Sequence, residues 1–98
     1  MASAGTFTDS GQTLGTADSR EVAFGDVDGD GDLDAMFANW SQPNVVWLNN
    51  GSGTFTDSGQ TLGTADSRTV ALGDVDGDGD LDAMVTNRDQ ANVVWLNN

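Results

Sequence analysis

The chain contains no cysteine, histidine, lysine or tyrosine, and three arginines are its only basic side chains. Without cysteine, neither disulfides nor thiolate metal sites can form. Without histidine, lysine and tyrosine, most of the acids, bases and nucleophiles that enzymes use are missing. Three arginines cannot neutralise the phosphate backbone of a nucleic acid, so we expect no nucleic-acid partner.

Long apolar segments are also missing. No stretch approaches the length that spans a membrane, so we expect no membrane partner. The first residues, MASAGTF, carry neither the basic nor the apolar segment of a signal peptide. We therefore expect a soluble chain without a signal peptide, whose 98 residues allow one ordinary domain or a part of a larger assembly.

The acidic residues, in contrast, are abundant and concentrated. The net charge is −13, from 16 acidic and 3 basic residues. The stretch DVDGDGDLD occurs at residues 26–34 and again at residues 74–82, and the two copies contain ten of the 16 acids. Such local acidity argues against a disordered acidic tail. Five carboxylates so close together repel one another unless a cation lies between them.

Nearly the whole chain is an internal repeat. Residues 5–20 and 53–68 share the sequence GTFTDSGQTLGTADSR, which sets a repeat length of 48 residues. Only seven of the 46 aligned pairs differ: Glu21/Thr69, Phe24/Leu72, Phe37/Val85, Ala38/Thr86, Trp40/Arg88, Ser41/Asp89 and Pro43/Ala91. Copies this similar indicate a recent amplification or an engineered sequence, and the leading MAS favours the latter.

Short apolar stretches between turn residues predict strands and no helix. Four strands are predicted in one repeat, at residues 21–27, 33–39, 44–50 and 53–59. The run at residues 45–48 is continuously apolar, which indicates burial on both faces of a sheet. The sequence therefore predicts an all-β fold made of β-propeller blades, each of four antiparallel strands, with two blades in the chain.

The acidic stretches fall between the first and second strands of each repeat. Each reads D-x-D-x-D-G-x-x-D, in which the glycine at position 6 allows a sharp bend. The predicted side-chain ligands are Asp26, Asp28, Asp30 and Asp34 in one copy and Asp74, Asp76, Asp78 and Asp82 in the other. At position 7, Asp32 and Asp80 are expected to contribute backbone carbonyl oxygens. Calcium takes about six to eight oxygen ligands, so Ca²⁺ is the predicted cofactor.

Two other interpretations of these stretches compete with a calcium-binding loop. An EF-hand needs a glutamate at position 12 and a helix on each side. Here position 12 is Phe37 or Val85, inside a predicted strand. A solvated acidic turn without an ion is the other alternative, and the identical spacing in both copies argues against it.

The stretches FGDVDGDGDLDAM at residues 24–36 and LGDVDGDGDLDAM at residues 72–84 resemble the FG-GAP/VCBS repeat. This repeat forms the integrin α-subunit head and occurs in many bacterial extracellular proteins. The resemblance covers essentially the whole chain. It implies a β-propeller that holds calcium between the first and second strands of a blade, with a non-enzymatic role in adhesion or ligand recognition. The natural parent is expected to be extracellular, where calcium is abundant.

Two blades cannot close a ring by themselves. The predicted organisation is an outer strand in residues 1–20, a first blade in residues 21–68 and three strands of a second blade in residues 69–98. We expect the outer strand to complete the last blade of a neighbouring chain, which gives a cyclic homo-oligomer. Eight blades from four chains are favoured over six from three, because a smaller ring crowds Phe24 and Leu72 on the inner strands.

Differences between the copies suggest where a ligand could bind. Trp40 and Arg88 occupy the same position in the two repeats, and both residue types are favoured at binding hot spots. They are possible residues for binding a glycan or protein ligand, although loop drift or packing between blades would explain them as well.

Three functions remain. The predicted one is a structural or interaction scaffold without enzymatic activity. The alternatives are a carbohydrate-binding, lectin-like propeller and a glycosidase with paired carboxylates. A glycosidase is disfavoured because few carboxylates, among them Glu21, lie outside the acidic stretches.

Overall fold

The structure, a computed structural model, describes residues 5, 7, 9–63 and 65–97, and in this part of the chain it contains strands and no helix. The all-β prediction is therefore confirmed. The strands are β1 (Asp18–Gly25), β2 (Asp34–Trp40), β3 (Asn44–Asn49), β4 (Phe55–Leu62), β5 (Ser67–Gly73), β6 (Asp82–Asn87) and β7 (Val93–Trp95). None of the described residues belongs to a helix that could cross a membrane.

The strands form two antiparallel sheets in which each strand pairs with the next along the chain. The first sheet has the order β1-β2-β3-β4 and the second has the order β5-β6-β7. The first sheet therefore has the four antiparallel strands that were predicted for a blade. The second sheet contains the counterparts of β1, β2 and β3.

The strand limits differ from the predicted ones by up to three residues, most at the start of β1 and at the end of β4, which continues to Leu62 because Thr61 and Leu62 pair with β3. β1 begins at Asp18, because Asp18 and Ser19 pair with the end of β2 before a bulge that precedes Glu21. β5 likewise begins at Ser67. The predicted limits after residues 20 and 68 thus fall within β1 and β5.

In the described part of the predicted outer strand, only residues 18–20 belong to a strand, and that strand is β1. No described residue between 5 and 17 belongs to a strand, and residues 1–4, 6 and 8 lie outside the described part. Its donation to a neighbouring chain stays a prediction.

The core lies between the two sheets. Met36, Ala38 and Val46 of the first sheet are buried together with side chains of the second sheet, Val70, Ala83 and Val85. We call the face that carries Met36 the forward face of the first sheet. The face that carries Val70 is the backward face of the second sheet. Within the chain, the forward face of the first sheet therefore packs against the backward face of the second sheet.

Each sheet packs one face against the other sheet, and its opposite face is more exposed, although Ala35 on the backward face of the first sheet is buried. Met36 is 2% exposed, whereas its repeat counterpart Met84, on the forward face of the second sheet, is 48% exposed. On the backward faces, Val70 is 4% exposed and its counterpart Val22 is 41% exposed. Met36 and Val70 are thus buried, whereas their counterparts Met84 and Val22 are open to solvent.

Candidate metal centre

The first Asp loop, residues 26–34, connects β1 to β2 and is folded around Asp26. The carboxylate of Asp26 accepts hydrogen bonds from the backbone N–H groups of Gly29 at 2.9 Å, Asp30 at 3.1 Å and Gly31 at 2.7 Å. Gly29 and Gly31 have φ angles of 78° and 89°, which a side chain would disfavour. The glycines at positions 4 and 6 therefore let three N–H groups converge on one carboxylate.

Asp34 fixes the other end of this loop. Its side chain is fully buried at the start of β2. One of its oxygens accepts a hydrogen bond from the Val27 N–H at 3.0 Å and the other from the Asn49 N–H at 2.8 Å. Asp34 therefore joins the loop to the end of β3. The sequence prediction did not name Asn49; the signal available was the same asparagine at position 97 of the second repeat.

The second Asp loop, residues 74–82, repeats this geometry. Asp74 accepts from the Gly79 N–H at 2.8 Å, and Asp82 accepts from the N–H groups of Val75 at 2.9 Å and Asn97 at 2.7 Å. Each distance is within 0.1 Å of its counterpart in the first loop. Two loops of identical sequence thus adopt the same conformation on two different sheets.

Each loop brings four carboxylates together. The clusters are Asp26, Asp28, Asp30 and Asp34 in the first loop and Asp74, Asp76, Asp78 and Asp82 in the second. In each cluster, one oxygen from every carboxylate lies within 4.8 Å of the others. An all-oxygen, fourfold acidic donor set suits a hard cation such as Ca²⁺. These are the eight predicted side-chain ligands, and their role in binding an ion stays a prediction.

Asp32 and Asp80 lie outside the two carboxylate clusters. The carboxylate of Asp32 lies beside Gly51, and its N–H donates to Asp30 at 2.9 Å. Asp80 makes the same bond to Asp78 at 2.9 Å. The sequence assigned only a backbone carbonyl ligand to these two residues, and that assignment also stays a prediction.

The pKa values of two neighbouring carboxyl groups in the first loop shift in opposite directions. Partial desolvation, the hydrogen bond to Asp30 and the charge of Asp34 raise the pKa of Asp28 to about 6. The pKa of Asp26 is lowered instead, chiefly because the Gly31 N–H bonds to the ionised carboxylate. The loop therefore holds one carboxylate that favours its ionised form beside one that resists ionisation without a compensating cation.

Mild acidification is expected to stabilise the metal-free protein. The pKa values of Asp28, at about 6, and of Asp76 are raised in the folded state, so the ionisation of both side chains opposes folding, and this effect is relieved as the pH falls. The pKa values of Asp26 and Asp74 are lowered from 3.8, so the stability that they contribute is lost only below about pH 4. In excess chelator, the melting temperature should therefore rise as the pH is lowered from about 7.5 to about 5.

The calcium-loaded protein is the control for this measurement. Protons compete with the ion for the carboxylates, so its melting temperature should fall over the same pH range. A melting temperature that falls in both samples would contradict the opposite pKa shifts within the loops.

At the opposite end of the sheets, the structure brings Trp40 and Arg88 together. The guanidinium carbon of Arg88 lies 5.0 Å from the centroid of the Trp40 ring. Arg20 and Arg68 approach the same ring, at 4.9 Å and 5.8 Å. The sequence prediction did not include these two arginines, since they are identical in the two repeats and only the fold directs both to one tryptophan. We call these four residues the arginine cluster.

Comparison with known proteins identifies the repeat. A family model described as FG-GAP-like repeat matches residues 26–85, from the first residue of the first Asp loop into β6. Neither the curated proteins nor the solved structures compared with the chain gave a match. The matched segment covers more than half of the chain and contains both carboxylate clusters. The chain therefore belongs to the FG-GAP-like repeat family.

Proposed function

We propose that the chain is a calcium-binding β-propeller module that acts as a structural and interaction scaffold without enzymatic activity. The observation that carries this proposal is the pair of matching Asp loops, each with four convergent carboxylates. Repeats of this family often bind calcium in such loops. In keeping with that role, we propose an extracellular setting for the natural parent of this amplified or engineered sequence.

The proposed ion has a structural role because of what the loop connects. Asp26 lies directly after β1, and Asp34 opens β2 while accepting a hydrogen bond from Asn49 at the end of β3. An ion held by both carboxylates would therefore fix three strands of the blade relative to one another. It would also offset the repulsion among the four carboxylates.

Asp18, Asp57 and Asp66, three of the six carboxylates outside the loops, are engaged in local contacts, which supports a scaffold over a glycosidase. Asp18 pairs with Arg20 at 3.2 Å, Asp57 accepts from the Gly59 N–H at 2.9 Å, and Asp66 accepts from the Ser41 N–H at 2.8 Å. Each is thus used in a local structural contact. A pair of carboxylates flanking a sugar would need both groups directed into one cleft.

Calcium titration calorimetry tests the proposed metal sites. The expected stoichiometry is two ions per chain, and Asp26→Asn or Asp74→Asn should each remove one of them. Asp57→Asn, which deletes an equal charge outside the loops, should leave both sites intact. Absence of calcium binding, or equal loss in the Asp57→Asn control, would contradict the proposal.

A panel of chromogenic glycosides tests the absence of enzymatic activity. No turnover is expected at any calcium concentration. Hydrolysis by the unaltered chain that Glu21→Gln abolishes would contradict a pure scaffold and favour the glycosidase alternative.

The proposed scaffold assembles with further copies of itself. The forward face of the second sheet and the backward face of the first are largely open, and they carry the counterparts of the residues buried within the chain, with Thr86 in place of Ala38 and Phe37 in place of Val85. The open forward face of one chain can therefore receive the open backward face of the next. Such head-to-tail contacts are heterologous, and they close into a ring when the rotation per chain divides a full turn.

Polar contacts between the sheets also have counterparts at the open faces. Within the chain, the Asn44 side chain donates to the Ser67 hydroxyl at 2.9 Å. The Asn97 side chain donates to the Val27 carbonyl, in the first Asp loop, at 2.6 Å. Between neighbouring chains, the corresponding pairs are Asn92 with Ser19 and Asn49 with Val75. A neighbour would therefore supply the second Asp loop with the contact that the first already has.

The outer strand proposed for residues 1–20 would complete the second sheet. Residues 7–14 repeat the sequence of β4, and the β3–β4 register would set Asp9 opposite Trp95. The Trp95 indole N–H is buried with no acceptor in the described part of the chain, which is consistent with an incomplete blade. Phe7 is almost fully exposed, whereas its counterpart Phe55 is partly buried in β4. We propose a ring of four chains in preference to three.

A further inference from the structure

All three arginines of this strongly acidic chain lie around one tryptophan. Their guanidinium carbons are 4.9, 5.8 and 5.0 Å from the centroid of the Trp40 ring, for Arg20, Arg68 and Arg88 respectively. The protein has a net charge of −13, so this cluster is a basic region in an otherwise acidic molecule. The cluster therefore calls for an explanation beyond the Asp loops.

The cluster lines a cavity between the two sheets. The cavity has a volume of about 480 Å³ and is bounded by Arg20, Trp40, Arg68, Thr69 and Arg88. Contact with an aromatic face holds a guanidinium by its flat side and leaves its N–H edge available for hydrogen bonds. The tryptophan can thus orient several donor edges toward one space.

The arginines are incompletely neutralised by carboxylates. Arg20 pairs with Asp18 at 3.2 Å and Arg88 with Asp89 at 3.6 Å, and both pairs are solvent-exposed. Exposed pairs of this kind are weak and exchange readily with other anions. Arg68 has no carboxylate partner within the described ranges. Its guanidinium donors are therefore available to a ligand.

Three differences between the two repeats contribute to this environment. Thr69 stands where the first repeat has Glu21, and Arg88 stands where it has Trp40. The first difference removes a negative charge beside the cavity and the second adds a positive one. Asp89, in place of Ser41, returns one negative charge. Two of the seven differences, Glu21/Thr69 and Trp40/Arg88, thus favour an anion in this cavity.

From this geometry we infer that the arginine cluster is a binding site for a small oxyanion, a sulfate or carboxylate group that is either free or carried by an acidic saccharide. Guanidinium edges match the oxygen spacing of these groups in paired hydrogen bonds. The cavity is separated from the Asp loops by the length of β2, about 20 Å at roughly 3.3 Å per residue. Because the Debye length is about 8 Å at physiological salt, the loops scarcely repel an ion there.

The overall charge favours a small ligand over a polyanion. A polymer long enough to reach past the cavity would meet the acidic remainder of the chain, since of the 16 acidic residues only Asp18 and Asp89 form ion pairs with the cluster in the described part of the chain. A single sulfate or uronate contacts only the cluster. This inference is independent of calcium binding and of ring closure, because every residue involved belongs to one chain.

Side-chain NMR provides a direct test, because the protein has only three arginine Nε–H signals and three indole N–H signals. Sodium sulfate is titrated against sodium chloride at constant ionic strength. We expect the arginine signals and the Trp40 indole to shift together and to saturate with sulfate, while the Trp47 and Trp95 indoles stay constant. Linear shifts of equal size in chloride and sulfate would overturn the inference.

Variants separate a binding site from a structural contact. Arg68→Gln should abolish saturation, whereas Arg68→Lys should retain weaker binding. Asp89→Asn removes the competing carboxylate of Arg88 and should tighten sulfate binding about two- to fivefold, a gain that mere destabilisation cannot produce. Asp57→Asn is the control with the same change in net charge. Equal tightening by Asp57→Asn would overturn the inference, since it would reveal a general charge effect.

The occupant is identified by comparing sulfate with glucuronate. Equal affinities would identify a free oxyanion, and tighter binding of glucuronate would identify an acidic saccharide; both support the site. Failure of both probes to saturate would overturn it, even if calcium still binds at the opposite end of the sheets.

Discussion

Chelating calcium is expected to lower the melting temperature by on the order of 20 °C. An ion present at 100 times its dissociation constant stabilises the folded state by about 2.7 kcal/mol, and the chain has two candidate sites. For a domain of this size, each kcal/mol corresponds to about 4–8 °C. Chelation also restores the mutual repulsion of four carboxylates in each loop, so the loss affects both blades. Thermal unfolding followed by circular dichroism, with calcium and with excess chelator, measures the difference.

The double variant Asp30→Ala, Asp78→Ala should reproduce the effect of the chelator. Both carboxylates belong to the clusters and neither is buried, so their removal leaves no cavity. The variant should melt at the same temperature with and without calcium. Asp9→Asn with Asp57→Asn serves as the control, because it removes two repeat-related carboxylates outside the loops. An unchanged melting curve for the unaltered chain in excess chelator would refute the structural role of calcium.

In solution, the protein is expected to form a closed ring whose mass is a multiple of the 10.2 kDa chain. Four chains give about 41 kDa and eight blades, and three chains give about 31 kDa and six blades. Light scattering or native mass spectrometry distinguishes the two, and we expect four chains. Deleting residues 1–11 should prevent closure, because the edge of β7 would remain unpaired. A stable monomer of the unaltered chain would refute strand donation.

A pair of glycines separates assembly from folding. A Cβ at Gly25 would lie 2.7 Å from Leu81 Cδ1, whereas a Cβ at the counterpart Gly73 meets nothing within 4 Å. In the proposed ring, Leu33 of the next chain takes the place of Leu81 and approaches Gly73. Gly73→Leu should therefore yield monomers that still bind two calcium ions. Gly25→Leu should instead destabilise the chain itself. Rings formed by Gly73→Leu would exclude this interface.

The Asp loops could be predicted because their geometry is local. The spacing of Asp26, Asp28 and Asp30 and the glycine at position 31 lie within six residues, so the turn follows from the sequence alone. The number of strands in each sheet followed from the alternation of apolar and turn residues for the same reason. Both the loop conformation and the number of strands depend on residues that are close together in the sequence.

Features set by distant pairing could not be predicted. The start of β1 at Asp18 depends on pairing with Trp40, and the hydrogen bond from Asn49 to Asp34 joins residues 15 positions apart. The arginine cluster depends on two separate sheets that bring Arg20 and Arg68 to one ring. Only the packing of the first sheet against the second makes these residues neighbours.

The repetition of one pair of faces on both sheets also bears on gene duplication. In the proposed ring, every contact between sheets joins a forward face to a backward face, so a gene encoding one repeat or three would preserve the contacts. It would change only the blade numbers that whole chains can supply. Odd rings would then become accessible. The arginine cluster would behave differently, since it combines a tryptophan of one repeat with an arginine that replaced it in the other. A chain reduced to a single repeat could retain the architecture but would lose this cluster.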